Sequence, residues 1–147
     1  HPFKVIFDYA HNAHAVGVMA DLAGRLDVRG RRIVVVAGPG DRRDEDIREL
    51  GEISAQYFDE IIIRCDKNLR GRTADEIIGL LKEGIEKVNP HVPTITIANE
   101  NEAVEYIYSN QRHGALYTIM CDVVAGALDK IRELKEREEK EPLVVIH

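Results

Sequence analysis

The segment FKVIFDYAHNAHAVGVMADLAG, Phe3 to Gly24, changes its period halfway along. Phe3 to Asp8 is a short run dominated by apolar and β-branched residues, the composition of a strand covered on both faces. Beyond the polar DYAHN turn, apolar side chains recur at Val16, Met19, Leu22 and Leu26, which is helical spacing. A strand that runs through a polar turn into an amphipathic helix is a βα unit, the building block of a parallel sheet.

The same alternation continues outward from that unit. Further strands are expected at Arg32 to Ala37 (RIVVVA), Glu60 to Arg64 (EIIIR), Thr94 to Ala98 (TITIA), Leu116 to Cys121 (LYTIMC) and Leu143 to Ile146 (LVVI). Helix starts are marked by Thr73 with Glu76 and by Asn99 with Glu102, where each side chain can satisfy a backbone N–H of the other. After Thr73, the residues Ile77, Ile78, Leu81 and Ile85 form an inward stripe that stops at Asn89-Pro90. Asp122 is expected to cap a later helix with Val124, Ala127, Leu128, Ile131 and Leu134 inward. Its end is the charged run Lys135 to Glu141, read as a solvated face. The fold class is therefore α/β: a Rossmann-like three-layer domain, residues 1–147, with a mostly parallel sheet of about six strands and helices on both faces.

Composition narrows the function. A chain of 147 residues holds one ordinary domain, and 44% hydrophobic with 31% charged residues is globular. No apolar run approaches the roughly 20 residues needed to span a membrane. The opening HPFKVIFDYAHN lacks the basic, apolar and small-residue order of a secretion signal, so a cytoplasmic location is expected. A net charge of −6, with bases interleaved among acids, argues against nucleic-acid binding. Cys65 and Cys121 are too few for a disulfide framework or zinc cluster and read as small core residues at strand ends.

In an open α/β sheet, ligands bind beyond the carboxyl ends of the strands. The first loop there, Asp8-Tyr9-Ala10-His11-Asn12, sets an acid, an imidazole and an amide near a helix N-terminus, a place suited to anions. Asp8 can accept from ribose hydroxyls, and His11 and Asn12 can contact phosphate oxygens. The second loop, Gly38 to Ile47 (GPGDRRDEDI), presents Asp41, Arg42 and Arg43 at the same edge. It matches neither GxGxxG nor a P-loop, since the third glycine and the lysine are missing. Arginine there can hold a carboxylate or phosphate in a two-pronged fork. Asp44, Glu45 and Asp46 suit the positive end of a helix, or alternatively a cationic amino acid. The third loop, Arg64 to Arg72 (RCDKNLRGR), adds Arg64, Asp66, Arg70 and Arg72.

DYAHN on the first strand-to-helix turn resembles the motif that opens the C-terminal domain of Mur ligases and folylpolyglutamate synthetases. PGDRRDEDI followed by a strand of isoleucines and DKNLRGR is similar to the cyanophycin synthetase version of that domain. The resemblance implies that Asp8, His11 and Asn12 face the nucleotide, and that Asp41, Arg42, Arg43, Arg64, Asp66, Arg70 and Arg72 face the amino acid or the acidic polypeptide substrate. It further implies ATP and Mg2+ as cofactors, with the metal held mainly by a central P-loop ATPase domain that serves as partner. The implied activity is ATP-dependent amide ligation, with arginine joined to aspartate side chains of a polypeptide. Ala13 stands where the family usually has proline, and Cys65 where such enzymes often have an acid. Two alternatives remain open: a non-catalytic α/β binding or assembly module, and another Mur-type or folylpolyglutamate-type ligase. A homo-oligomer is compatible with each.

Overall fold

The computed structural model describes residues 3–8, 13–25, 30–38, 40, 42–65, 71–110, 114–120 and 133. Within them the chain alternates strictly between strands and helices. These are β1 (Phe3–Asp8), α1 (Ala13–Arg25), β2 (Arg32–Val36), α2 (Asp44–Tyr57), β3 (Glu60–Arg64), α3 (Ala74–Val88), β4 (Thr94–Ile97), α4 (Glu100–Ser109) and β5 (Ala115–Met120). The five strands form one sheet in the order β1-β5-β2-β3-β4. Every pairing is parallel, as the βα alternation predicts. About six strands were expected; the sixth, Leu143 to Ile146, lies outside the described residues, as do Asp122, all but Glu133 of the helix it was expected to cap, and the charged run.

Topology follows from handedness. From β1 to β4 each step moves the same way across the sheet, and right-handed crossovers then put α1, α2 and α3 on one face. The return from β4 to β5, which slots between β1 and β2, reverses direction and carries α4 to the other face. Side-chain alternation divides the core accordingly. Val34, Val36, Ile61, Ile63, Leu116 and Met120 pack under α1 to α3. Val5, Ile33, Val35, Ile62, Ala115, Tyr117 and Ile119 pack under α4. All six residues of β5 are buried, whereas β4, one of the two edge strands among the described residues, leaves Ile95 and Thr96 exposed.

Both marked helix starts are real caps. Thr73 Oγ1 accepts from Glu76 N at 3.1 Å, and Asn99 Oδ1 accepts from Glu102 N at 2.9 Å. Helix α3 ends at Asn89. Its inward stripe is wider than expected: Leu80 and Gly84 are buried with Ile77, Leu81 and Ile85, while Ile78 is only partly covered. The reason is α2. A Cβ on Gly84 would collide with the Arg48 carbonyl, and one on Gly51 with the Leu81 carbonyl, so the two helices meet backbone to backbone. Cys65 directly follows β3, but it is half-buried rather than a core residue. No helix among the described residues is long and apolar enough to cross a membrane.

Candidate functional site

The carboxyl edge of the sheet gathers the strand ends that carry the three polar loops. Asp8 ends β1 and pairs in register with Met120, the last residue of β5. Arg64 ends β3, and strand alternation turns it to the α4 face. Its side chain is buried, 1% exposed, and reaches past β2: Nη2 donates to the Met120 carbonyl at 2.7 Å and Nε at 3.3 Å. Glu100, in the first turn of α4, brings a carboxylate oxygen to 3.9 Å from the same Nη2. A guanidinium expected to greet substrate is thus built into the edge, binding β3 to β5 beside the end of β1.

The second loop leaves β2 through a gap only glycine fits. A Cβ on Gly38 would lie 2.6 Å from Ile77 Cγ2 and 3.2 Å from Ile47 Cγ2, inside van der Waals contact with α3 and α2. The chain then emerges at Arg42 and Arg43, both exposed, and enters α2 at Asp44. Arg43 forks onto the Asp46 carboxylate, Nε to Oδ2 at 3.2 Å and Nη2 to Oδ1 at 3.0 Å. That hydrogen bond raises the Arg43 pKa above its ordinary value and lowers that of Asp46.

Arg72 ties the second and third loops together. Its Nη1 donates to Asp44 Oδ1 at 2.7 Å and lies 3.5 Å from Glu76 Oε1, while Nη2 donates to the Arg42 carbonyl at 2.9 Å. The acids in the first turn of α2 therefore do more than meet a helix dipole: Asp44 is held by Arg72 and Asp46 by Arg43. Of the four described arginines proposed from sequence, Arg43, Arg64 and Arg72 are engaged internally. Arg42 is exposed, and no side-chain hydrogen bond or ion pair joins it to the described residues. Arg42 and Arg72 are therefore brought together with the start of α2, while Arg64 sits apart at the β3–β5 junction.

His11, Asn12, Asp41, Asp66 and Arg70 lie outside the described residues, and of Asp8 only the strand position is described. His14 is exposed on α1. Among the described residues no group of three or more His, Cys, Asp or Glu side chains is placed to hold a metal ion. Sequence reasoning missed two partners that shape the edge, the Met120 carbonyl and Glu100. Glu100 had a signal, since it opens a capped helix after a strand, yet nothing local pointed to Arg64.

A parallel sheet with helices on both faces and polar loops collected at its carboxyl edge is of the doubly wound α/β class, in which that edge is the usual place for ligands. The particular family is shown by comparison: residues 1–138 match the profile described as Mur ligase, glutamate ligase domain, and the chain belongs to that family. It is 38% identical over 131 residues to cyanophycin synthetase of Geminocystis herdmanii, a match covering 89% of this chain and 15% of that protein. It is 33% identical over 108 residues to the UDP-N-acetylmuramoyl-L-alanyl-D-glutamate–2,6-diaminopimelate ligase of Caldanaerobacter subterraneus, covering 74% and 22% of the two chains. A solved structure of a diaminopimelate ligase of the latter name aligns with a TM-score of 0.76 at 17% identity, covering 96% of this chain and 31% of the other. Escherichia coli FolC in complex with ADP aligns with a TM-score of 0.64 at 18% identity, covering 92% and 30%. These structural likenesses speak to fold. The chain spans 15–22% of the length of these two sequence relatives.

Proposed function

We propose that this chain is the C-terminal domain of an ATP-dependent amide ligase of the cyanophycin synthetase kind, which joins arginine to aspartate side chains of a polypeptide. The observation that carries the reading is the likeness to a cyanophycin synthetase, 38% identical across 89% of this chain. In such a reaction a carboxylate is activated as an acyl phosphate, and the incoming amine attacks its carbonyl carbon and displaces phosphate. The domain's share of that work is positioning and exclusion of water.

In this reading Asp8, His11 and Asn12 form one wall of the ATP cleft, and the central P-loop ATPase domain forms the other and holds most of the Mg2+ ligands. Bound Mg2+ would neutralise phosphate charge there. Asp41, Arg42, Asp66 and Arg70 face the amino acid and the acidic polypeptide. Arg42 is the strongest of these, because its exposed guanidinium stands at the start of α2 without a described partner. Arg43, Arg64 and Arg72 are assigned to shaping the edge, since their guanidinium groups already have partners within the domain.

The test joins the domain to its P-loop partner and measures ADP release with each candidate amino acid. Release that depends on arginine is expected. Release that depends instead on diaminopimelate or glutamate would move the assignment to another Mur-type or folylpolyglutamate-type ligase. No amino-acid-dependent release with any of them would remove the ligase reading in favour of a binding module.

A further inference from the structure

We infer that Arg72 is a positioning residue that locks the second and third loops into one unit and thereby sets the direction of Arg42; the ligase role of that unit rests on the reading above. The bonding pattern is the argument. One guanidinium spans two loops 28 residues apart in sequence, with Nη1 on the Asp44 carboxylate and Nη2 on the Arg42 carbonyl. The carbonyl belongs to the very residue whose own side chain is exposed and has no hydrogen bond or ion pair among the described residues. Fixing the peptide group at Arg42 restricts the backbone torsion from which its guanidinium projects.

The lock also sits where holding requires it. Arg43, the residue before α2, makes no side-chain cap to the helix; its guanidinium forks onto Asp46 instead, and Arg72 restrains the residue before it. Thr73 caps α3 immediately after Arg72, and Gly51 and Gly84 fix α3 against α2. Arg72 therefore projects from a rigid base onto the stretch that leads into α2. Its planar fork can bridge a carboxylate and a carbonyl at once, whereas a lysine ammonium at the same place is a single flexible point charge. A reacting amine misplaced by even an ångström costs rate out of proportion to the stability involved.

The experiment uses the full ligase, with Arg72→Gln, Arg72→Lys, Asp44→Asn and the Arg72→Gln/Asp44→Asn double variant. Thermal unfolding, ATP KM, amino-acid KM and amide hydrogen exchange across residues 42–46 are measured for each. Arg72→Gln is expected to raise amino-acid KM by about tenfold with ATP KM and unfolding midpoint held, and to speed exchange in the segment. Arg72→Lys should fall between Arg72→Gln and the parent. Because both members act through one contact, the double variant should be no worse than the poorer single.

Multiplying defects, or a raised KM in Arg72→Gln with exchange unchanged, would mean that Arg72 touches substrate itself and would overturn the positioning role. A parent ligase without amino-acid-dependent ADP release would defeat the ligase reading alone. Exchange in residues 42–46 would then still decide whether Arg72 locks the loops: acceleration in both Arg72→Gln and Asp44→Asn supports the lock, and unchanged exchange in either overturns it.

Discussion

The seam between α2 and α3 and the loop cluster at the carboxyl edge lie next to each other and are held in opposite ways. At the seam, Gly51 faces the Leu81 carbonyl and Gly84 faces the Arg48 carbonyl, so close approach of two backbones fixes the geometry. At the edge, Arg43, Arg64 and Arg72 fix strand ends and loops through hydrogen bonds and ion pairs. The seam is set by backbone contact, with the Arg48–Glu83 and Lys87–Glu52 ion pairs spanning it at the surface; the edge is set by side chains. Loops can be tuned to a ligand only if the base beneath them does not shift.

Breaking the seam should give the largest effect. Gly84→Ala drives a methyl group into the Arg48 carbonyl, and neither helix backbone can yield without disturbing the core below it. A loss of about 3 kcal/mol in urea unfolding is expected despite alanine's better helix propensity. Gly79 is the internal control, because it lies on the exposed side of the same helix with nothing within 4 Å of an added Cβ. Gly79→Ala should therefore stabilise by about 0.5–1 kcal/mol. If both substitutions moved stability the same way, the seam would not be closed as described.

Removing the buried brace at the edge comes next. Arg64→Ala takes two hydrogen bonds from the Met120 carbonyl and leaves Glu100 without the guanidinium 3.9 Å away. A cost of about 2 kcal/mol is expected from the loss of these partners, read by the same unfolding measurement. A negligible cost would show that water takes over the carbonyl and that the brace serves orientation alone. Arg64→Lys should recover part of the loss, since one ammonium can reach the carbonyl but cannot reproduce the planar fork.

These two regions also mark where the sequence was readable. The strands were plain because β2, β3 and β5 are covered on both faces and so are nearly continuous apolar runs. The caps at Thr73 and Asn99 were plain because a cap is a contact over three residues. Arg64 looked like the first residue of a solvent loop. Its burial depends on β5 entering between β1 and β2, which brings Met120 within reach of a residue 56 positions earlier. Gly51 and Gly84 sit inside helices, where glycine is a weak former, and the α2–α3 crossing gives them a purpose. The second and third loops were singled out as polar loops at the carboxyl edge, but the use of Asp44 and Arg72 on each other required the two helices to be set side by side.

The smallest effect is the one that most cleanly separates the edge from the seam. Asp46 is exposed to solvent screening, and its hydrogen bond from Arg43 lowers its pKa below the ordinary value of 3.8. A carboxyl group whose folded pKa is depressed contributes stability above its unfolded pKa and loses that contribution as pH falls through the folded value. The Arg43–Asp46 pair should thus contribute fully at neutral pH and fade only in acid, below the ordinary carboxylate range. Raised Arg43 basicity adds nothing in that window, because the guanidinium stays charged throughout. A carboxyl-carbon NMR titration of the parent and of Arg43→Gln provides the measurement: the variant's Asp46 should titrate closer to the ordinary value, and added salt should move the parent in the same direction. An Asp46 midpoint that ignores both Arg43→Gln and salt would show that helix position alone depresses it. The Gly84→Ala defect, by contrast, should be the same at every salt concentration, because steric overlap between a methyl group and a carbonyl oxygen is not screened by ions.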